Sequence, residues 1–208
     1  AYAETAAETQ EPIYELEPFV VVATRTPLSL DRVSPSVSYI SAEQMEFWQD
    51  QQLIDVLARE NGMTVVSNGG KGAQTSLFTR GTESNHTAFF IDGRRINSGF
   101  GNQYDLERIP VQNLDSVQVL RGASSVNYGS SGIGGVIDLR TRSGFDSDEV
   151  DATVGGEVGS NDTYMGEASM ATSDENWAVS VAASVLTTDN ERENDAYDRA
   201  SITNRIDY

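Results

Sequence analysis

The sequence contains no cysteine and a single histidine, His86. Disulfides and thiolate chemistry are therefore unavailable, and neither a His-rich metal site nor a histidine-based triad is supported. No run of about 18 apolar residues occurs, so no transmembrane helix is encoded. Positive charge is also scarce: 14 Lys and Arg stand against 32 Asp and Glu, for a formal net charge of −18. Binding to phosphate backbones needs a basic stripe that releases counterions, so nucleic acid is excluded as a partner.

The 208 residues suffice for one or two domains. From Ser143 onward the chain carries 15 acidic and 3 basic residues, whereas the first 142 carry 17 and 11, so its character changes near Ser143. The opening Ala1-Tyr2-Ala3 has the A-x-A form of a signal-peptidase site, and equally that of an arbitrary boundary. Residues 1–10 are small, polar and acidic, and the tail, residues 1–16, is expected to be disordered. Val20-Val21-Val22 beside that tail has strong strand propensity. It reads either as an ordinary first strand or as a strand kept for a partner's sheet edge.

Ser36 to Ile40 alternates like a strand, and Ser41-Ala-Glu-Gln44 has the form of a capping box. A helix is expected from there to about Arg59, with Leu53, Val56 and Leu57 on its packed face, Phe47 and Trp48 one to two turns earlier, and Asn61-Gly62 as its end. Short strands follow at Met63–Val66, Ser76–Arg80, Thr87–Ile91, Ser116–Leu120 and Val136–Arg140, with a tight turn at Asp92-Gly93. Two glycine-rich loops, 68–72 and 97–104, interrupt them, and Asp105–Pro110 is expected to form a short helix.

Beyond Gly144 the period becomes two. Val150, Ala152, Val154 and Val158 alternate with Asp151, Thr153 and Glu157; Tyr164, Ala168 and Met170 alternate with Met165, Glu167 and Ser169. Trp177, Val179, Val181, Ala183 and Val185 alternate with Ala178, Ser180, Ala182 and Ser184, and Ile202 and Ile206 with Thr203 and Arg205. Hairpin-linked segments of about ten residues, apolar on one face and small or polar on the other, fit outer-membrane barrel strands. A soluble β-sandwich would also alternate, so a secreted or periplasmic binding module with an α/β domain and a sandwich is the competing reading.

Five glycines lie between Gly122 and Gly135, flanked by alternating apolar strands. A dinucleotide fingerprint fails there, because Gly132 and Gly134 would need a third glycine where Ile137 stands. Gly70-Lys71-Gly72 lacks the hydroxyl residue of a P-loop. A linker would not carry Val126, Tyr128, Ile133 and Val136. A tight backbone crossing remains, with Tyr128 as an anchor.

Arg121-Gly122, Tyr128-Gly129 and Gly132-Ile-Gly-Gly-Val-Ile137 together resemble the signature of the plug domain of TonB-dependent outer-membrane receptors. Phe19-Val-Val-Val-Ala-Thr24 resembles the TonB box. Phe78-Thr-Arg-Gly81 and Phe90-Ile-Asp-Gly-Arg94 resemble two further plug segments, in the same order. Loops 68–70 and 97–104 make the cobalamin-receptor type the nearest. The fold implied is an α/β plug domain, a small mixed sheet with short helices, followed by the first antiparallel strands of a 22-stranded transmembrane β-barrel. The chain is then an N-terminal fragment of something longer. Its implied division is 1–16 tail, 17–24 TonB box, 25–144 plug and 145–208 about four barrel strands.

The resemblance also implies a function. A scarce, bulky nutrient of the cobalamin or siderophore class is imported across the Gram-negative outer membrane. The plug sits in the barrel lumen and the N-terminus lies in the periplasm. The partners implied are TonB with ExbB and ExbD, the substrate and outer-membrane lipid; no enzyme activity and no required cofactor are expected. The TonB box maps onto Glu17, Pro18, Phe19, Val20, Val21, Val22 and Ala23. Apical substrate contacts map onto Asn68, Lys71, Gln74, Asn97, Asn102 and Tyr104, although Lys71 puts a charge where the resembled type is neutral. Plug–barrel ion pairs are expected between Arg80 or Arg121 and Glu157 or Glu167. Asp189, Glu191 and Asp195 offer hard oxygen ligands of the kind Ca²⁺ takes, in a loop resembling the calcium-binding loop of cobalamin receptors.

Overall fold

A computed structural model describes residues 19–20, 28–29, 36–97, 101, 104–123, 128–129, 132–146, 150–192 and 194–208. Phe19–Val20 (β1) pairs antiparallel with Leu28–Ser29 (β2). The expected tail lies outside the described residues, as do Glu17, Pro18, Val21, Val22 and Ala23 of the expected box.

The first structural unit is a five-stranded mixed sheet. Its strands are β3 (Val37–Ser41), β6 (Thr87–Ile91), β7 (Arg94–Arg95), β8 (Leu114–Arg121) and β9 (Gly135–Thr141), in the order β3-β8-β9-β6-β7. Only β6 and β9 run parallel. Two short helices, α1 (Ala42–Phe47) and α2 (Leu53–Ala58), cover one face. Between them and the sheet, Ile40, Met45, Leu53, Val56, Leu57, Val117, Ile137 and Leu139 are buried in one cluster. The hairpin β4 (Met63–Ser67) and β5 (Thr75–Thr79) stands apart from this sheet.

The capping box at Ser41 forms as expected: Gln44 N donates to Ser41 Oγ at 3.3 Å, and Ser41 N to Gln44 Oε1 at 3.2 Å. The single helix expected to reach Arg59 is instead two. Gln49 takes a left-handed φ of 57°, which no helix interior accommodates. The second helix starts afresh, with Gln52 N donating to Asp55 Oδ2 at 3.1 Å. The break turns Phe47 out of the packed face, leaving it 85% exposed, while Trp48 stays partly buried against the core.

The glycine-rich stretch between β8 and β9 is a close backbone crossing. Gly122 N donates to Gly134 O and Gly134 N to His86 O, both at 2.9 Å. A Cβ on Gly135 would lie 2.7 Å from Leu120 O, so only glycine lets the two strands approach here. Tyr128 packs edge-on against Phe90 with centroids 5.2 Å apart, the anchor expected for it.

After a turn of 3-10 helix at Gly144–Asp146, four antiparallel strands run in sequence order: β10 (Asp151–Gly159), β11 (Thr163–Asp174), β12 (Trp177–Thr188) and β13 (Tyr197–Asp207). Along β12 the alternation is strict. Ala178, Ser180, Ala182, Ser184, Leu186 and Thr188 are buried, while Trp177, Val181, Ala183 and Val185 are exposed. The outward face continues through Val154, 87% exposed, and Ile202 and Ile206. A sandwich would bury this apolar face and wet the polar one. Here the small and polar face packs on the first unit and the apolar face is outside, which is the barrel arrangement and excludes the sandwich. Trp177 and Tyr208 meet at a tilt, with ring centroids 4.6 Å apart, at one end of the strands, and Tyr164 lies at the other. Strands of 9 to 12 residues have the length that a tilted membrane crossing needs.

Candidate functional site

The β4–β5 hairpin lifts the loop Asn68–Gln74 to one end of the molecule, closed by Asn68 N donating to Gln74 O at 3.2 Å. Tyr104 and Asp105, which end the second glycine-rich loop, come up beside it. Between the two loops is a cleft of about 400 Å³ lined by Gly72, Gln74, Ser76, Phe89, Tyr104 and Asp105. Thus Gln74 and Tyr104, separated in sequence, share one cavity, while Asn68, in the same loop as Gln74, is exposed and does not line it. Asn102 lies outside the described residues.

Asn97 is placed differently from the expectation. It is 0% exposed, its Nδ2 donates to Thr87 O at 2.6 Å and its Oδ1 accepts from Phe89 N at 2.9 Å. The side chain continues the ladder of β6 past the short β7, a structural task that leaves it no face toward the cleft. Lys71 also points inward: its Nζ donates to Gln51 Oε1 at 2.6 Å, and Gln51 Nε2 donates to Glu157 Oε2 at 2.5 Å.

Beneath the two loops lies a polar cluster that sequence reasoning missed. Glu107 is buried, with Oε1 accepting from Thr75 Oγ1 at 2.9 Å and a backbone hydrogen bond from Gly72. It therefore ties the first loop to the second. The Gln52 amide donates to its other oxygen and accepts from Arg199 Nη1 at 3.3 Å. Arg199 reaches in from β13, 9% exposed, and also donates Nη1 to Glu107 O at 3.2 Å. Burial pushes the Glu107 carboxyl above its ordinary range, opposed by Thr75 and reinforced by Asp55 and Asp105. Asp55 is likewise raised by burial, opposed by the backbone amides of Gln52 and Gln51. The available signal was the alternation of β13, which puts residue 199 on the inward face with Thr203 and Arg205.

The expected pairing of Arg80 and Arg121 with Glu157 and Glu167 is not what joins the two units. Arg121 pairs with Glu60 inside the first unit, Nη1 to Oε2 at 2.8 Å. Arg80 is exposed and forms no ion pair among the described residues. Glu157 and Glu167 do face the first unit, but they meet the neutral Gln51 and Gln112. Charged links run both ways: Arg142, where the chain leaves the plug, stands 3.5 Å from Asp151 Oδ2 of β10, and Arg205 on β13 reaches back to the plug. Arg205 Nη1 donates to Thr141 O at 2.7 Å and stands 3.5 Å from Asp92 Oδ1.

Asp189, Glu191 and Asp195 lie in the loop between β12 and β13. Among the described residues no three carboxylates converge on a point that could hold a metal ion. Asp195 Oδ2 instead accepts from Gly70 N at 3.4 Å.

Residues 29–136 match the family model described as TonB-dependent Receptor Plug Domain. Over 129 residues the chain is 40% identical to the vitamin B12 transporter BtuB of Vibrio vulnificus; the match takes in 62% of this chain and 21% of that protein. The chain thus spans about a fifth of that relative's length. Among solved structures, the pyoverdine outer-membrane receptor FpvA of Pseudomonas aeruginosa has the same fold. Its TM-score is 0.70 at 22% identity, over 82% of this chain and 24% of the receptor. The siderophore receptor PirA of Acinetobacter baumannii gives a TM-score of 0.64 at 19% identity, over 83% and 29%.

Proposed function

Since the chain belongs to the TonB-dependent receptor plug-domain family, we propose that it forms the plug and first barrel strands of an active importer in the Gram-negative outer membrane. The substrate is a scarce, bulky nutrient of the cobalamin or ferric-siderophore class. The observation that carries this reading is the inverted sheet β10–β13: its apolar face looks outward and its small, polar face packs on the plug. That arrangement suits a wall with lipid on one side and a plug on the other. The 40% identity to a vitamin B12 transporter supports the cobalamin side of the substrate class, and the fold shared with siderophore receptors keeps the other side open.

In this reading residues 17–24 are the TonB box, 25–144 the plug and 145–208 the first four strands. Substrate settles at the apical cleft from outside, contacting Asn68, Gln74 and Tyr104. TonB, energised by ExbB and ExbD, captures the box from the periplasm as an added strand, in which main-chain hydrogen bonds supply the affinity. Pulling there displaces the plug and opens the lumen. No bond is made or broken in the cargo, so the protein is not an enzyme.

The test separates binding from coupling. Val21→Pro removes a main-chain donor from the box. In a strain that produces the full receptor, uptake should fall to background while surface binding of the substrate is kept. Unchanged uptake would remove the box from residues 17–23. A receptor recovered in the soluble fraction would overturn the transport reading itself.

A further inference from the structure

The apical loop has the sequence Asn68-Gly-Gly-Lys-Gly72, and its Lys71 meets a neighbour 119 residues away in the chain. Asn190, in the loop between β12 and β13, sits at a left-handed φ of 56°, with its N donating to Thr188 Oγ1 at 3.1 Å. That conformation aims its carboxamide at the plug. Oδ1 accepts from Lys71 N at 3.0 Å, while Nδ2 donates to Lys71 O at 3.1 Å and to Asp195 O at 2.6 Å. One side chain thus satisfies both main-chain groups of Lys71, as a neighbouring strand would. Only a carboxamide offers a donor and an acceptor together in this way. The glycines make room for it. A Cβ on Gly70 would lie 2.6 Å from Asn190 Cγ, and one on Gly72 would clash with the edge of the Tyr197 ring.

We infer that Asn190 is a positioning residue for the apical ligand site. It straps the plug loop to the barrel wall and fixes the loop in the shape that presents Asn68 and Gln74. Gly70 and Gly72 serve this strap rather than the ligand. Lys71 belongs to it as well: its main-chain groups are held by Asn190 and its ammonium by Gln51. The inference rests on the reading that this apex receives the transported substrate, but the strap itself can be measured without any substrate.

The experiment uses the full receptor in detergent or outer-membrane vesicles, with hydrogen exchange read on the peptide that covers Gly69–Ala73. Asn190→Ala should speed exchange there by about tenfold, since it removes hydrogen bonds that close the loop. Asn190→Asp keeps the acceptor for Lys71 N and loses the donor, so it should fall between wild type and Ala. Gly72→Ala, which displaces Tyr197, should also speed exchange. Peptides from β8 and β9 should not change in any of the three. Equal exchange in wild type and Asn190→Ala overturns the proposal. So does acceleration in the wild type on adding EGTA alone, because a cation would then hold the loop. Binding of cyanocobalamin is measured on the same samples and should weaken in the order wild type, Asp, Ala. If wild type binds none while the exchange order holds, the strap stands and the cobalamin reading falls.

Discussion

Arg205 on β13 and Asp92 in the β6–β7 turn face each other across the plug–barrel junction, with Nη1 and Oδ1 3.5 Å apart. The same carboxylate accepts from Thr141 N at 3.0 Å and from Thr141 Oγ1 at 2.7 Å. Arg205 adds Thr141 O at 2.7 Å and Asp207 at 2.9 Å. One guanidinium therefore ties the strand leaving the plug, a turn beside it and the barrel wall. Arg205→Ala and Asp92→Asn should couple in a double-mutant cycle of thermal stability by at least about 0.5 kcal/mol. Arg205→Lys should behave nearly as Ala does, because a point charge cannot replace the planar fork. Strict additivity would show that the two residues act separately.

A second pair lies wholly within the plug. Arg121 and Glu60 meet at 2.8 Å, with side chains only 9% and 15% exposed. Arg121→Met leaves the Glu60 carboxylate in a desolvated site without its cation, at a cost of about 3 kcal/mol. The double variant Arg121→Met, Glu60→Gln should recover most of the loss, since the charge that must be compensated has gone. Denaturant midpoints of the three variants decide the matter. A double variant as unstable as the single would mean that shape, not charge, is what the pair supplies.

These two arginines show what the sequence could and could not convey. The strands from residue 151 onward were legible because each face meets one environment along its whole length, so Trp177–Thr188 writes its surroundings as a strict period of two. The capping box at Ser41 and the Asp92-Gly93 turn were legible because they are set by residues two or three apart. The left-handed Gln49 that splits the helix carries no such local mark. Arg121 was visible as a charge at a strand end, but its partner stands 61 residues away and was misassigned to the barrel. At the apex, Gln74 and Tyr104 of the expected contacts line one cleft, whereas Glu107, Arg199 and Asn190 were missed. Their contacts span from 32 to 119 residues, and no spacing rule links them.

Asp138, buried in β9, gives a pH dependence with a definite sign. Burial pushes its carboxyl above the ordinary range, and Arg140, 3.0 Å away, opposes this. A carboxyl whose folded pKa is raised binds a proton more tightly in the native state. It leaves stability untouched below the unfolded pKa, weakens it as pH rises from there to the folded pKa, and exerts its full cost above that. Asp138→Asn should therefore raise the melting temperature at pH 7, and the gain should shrink as pH falls through the raised folded pKa and vanish below about 4, the unfolded value. A lower melting temperature at pH 7 would mean that the attraction of Arg140 outweighs desolvation.

Gly144 makes the tightest approach to main-chain atoms at the junction. A Cβ there would lie 2.4 Å from Thr172 O, 2.6 Å from Val179 N and 2.8 Å from Val179 O. These are main-chain atoms of β11 and β12, and they cannot withdraw without breaking the ladder between those strands. Around this point Ser180 Oγ donates to Arg142 O at 2.6 Å, and Ser143 Oγ to Asp207 Oδ2 at 2.6 Å. Gly144→Ala should force the turn off the sheet at about 1–3 kcal/mol, the usual range for overpacking, and take both serine contacts with it. Limited proteolysis of the full receptor should then cut between residues 142 and 146 faster than in the wild type. If Gly144→Ala is cut no faster, the close approach of Gly144 to β11 and β12 is not what holds the turn on the sheet.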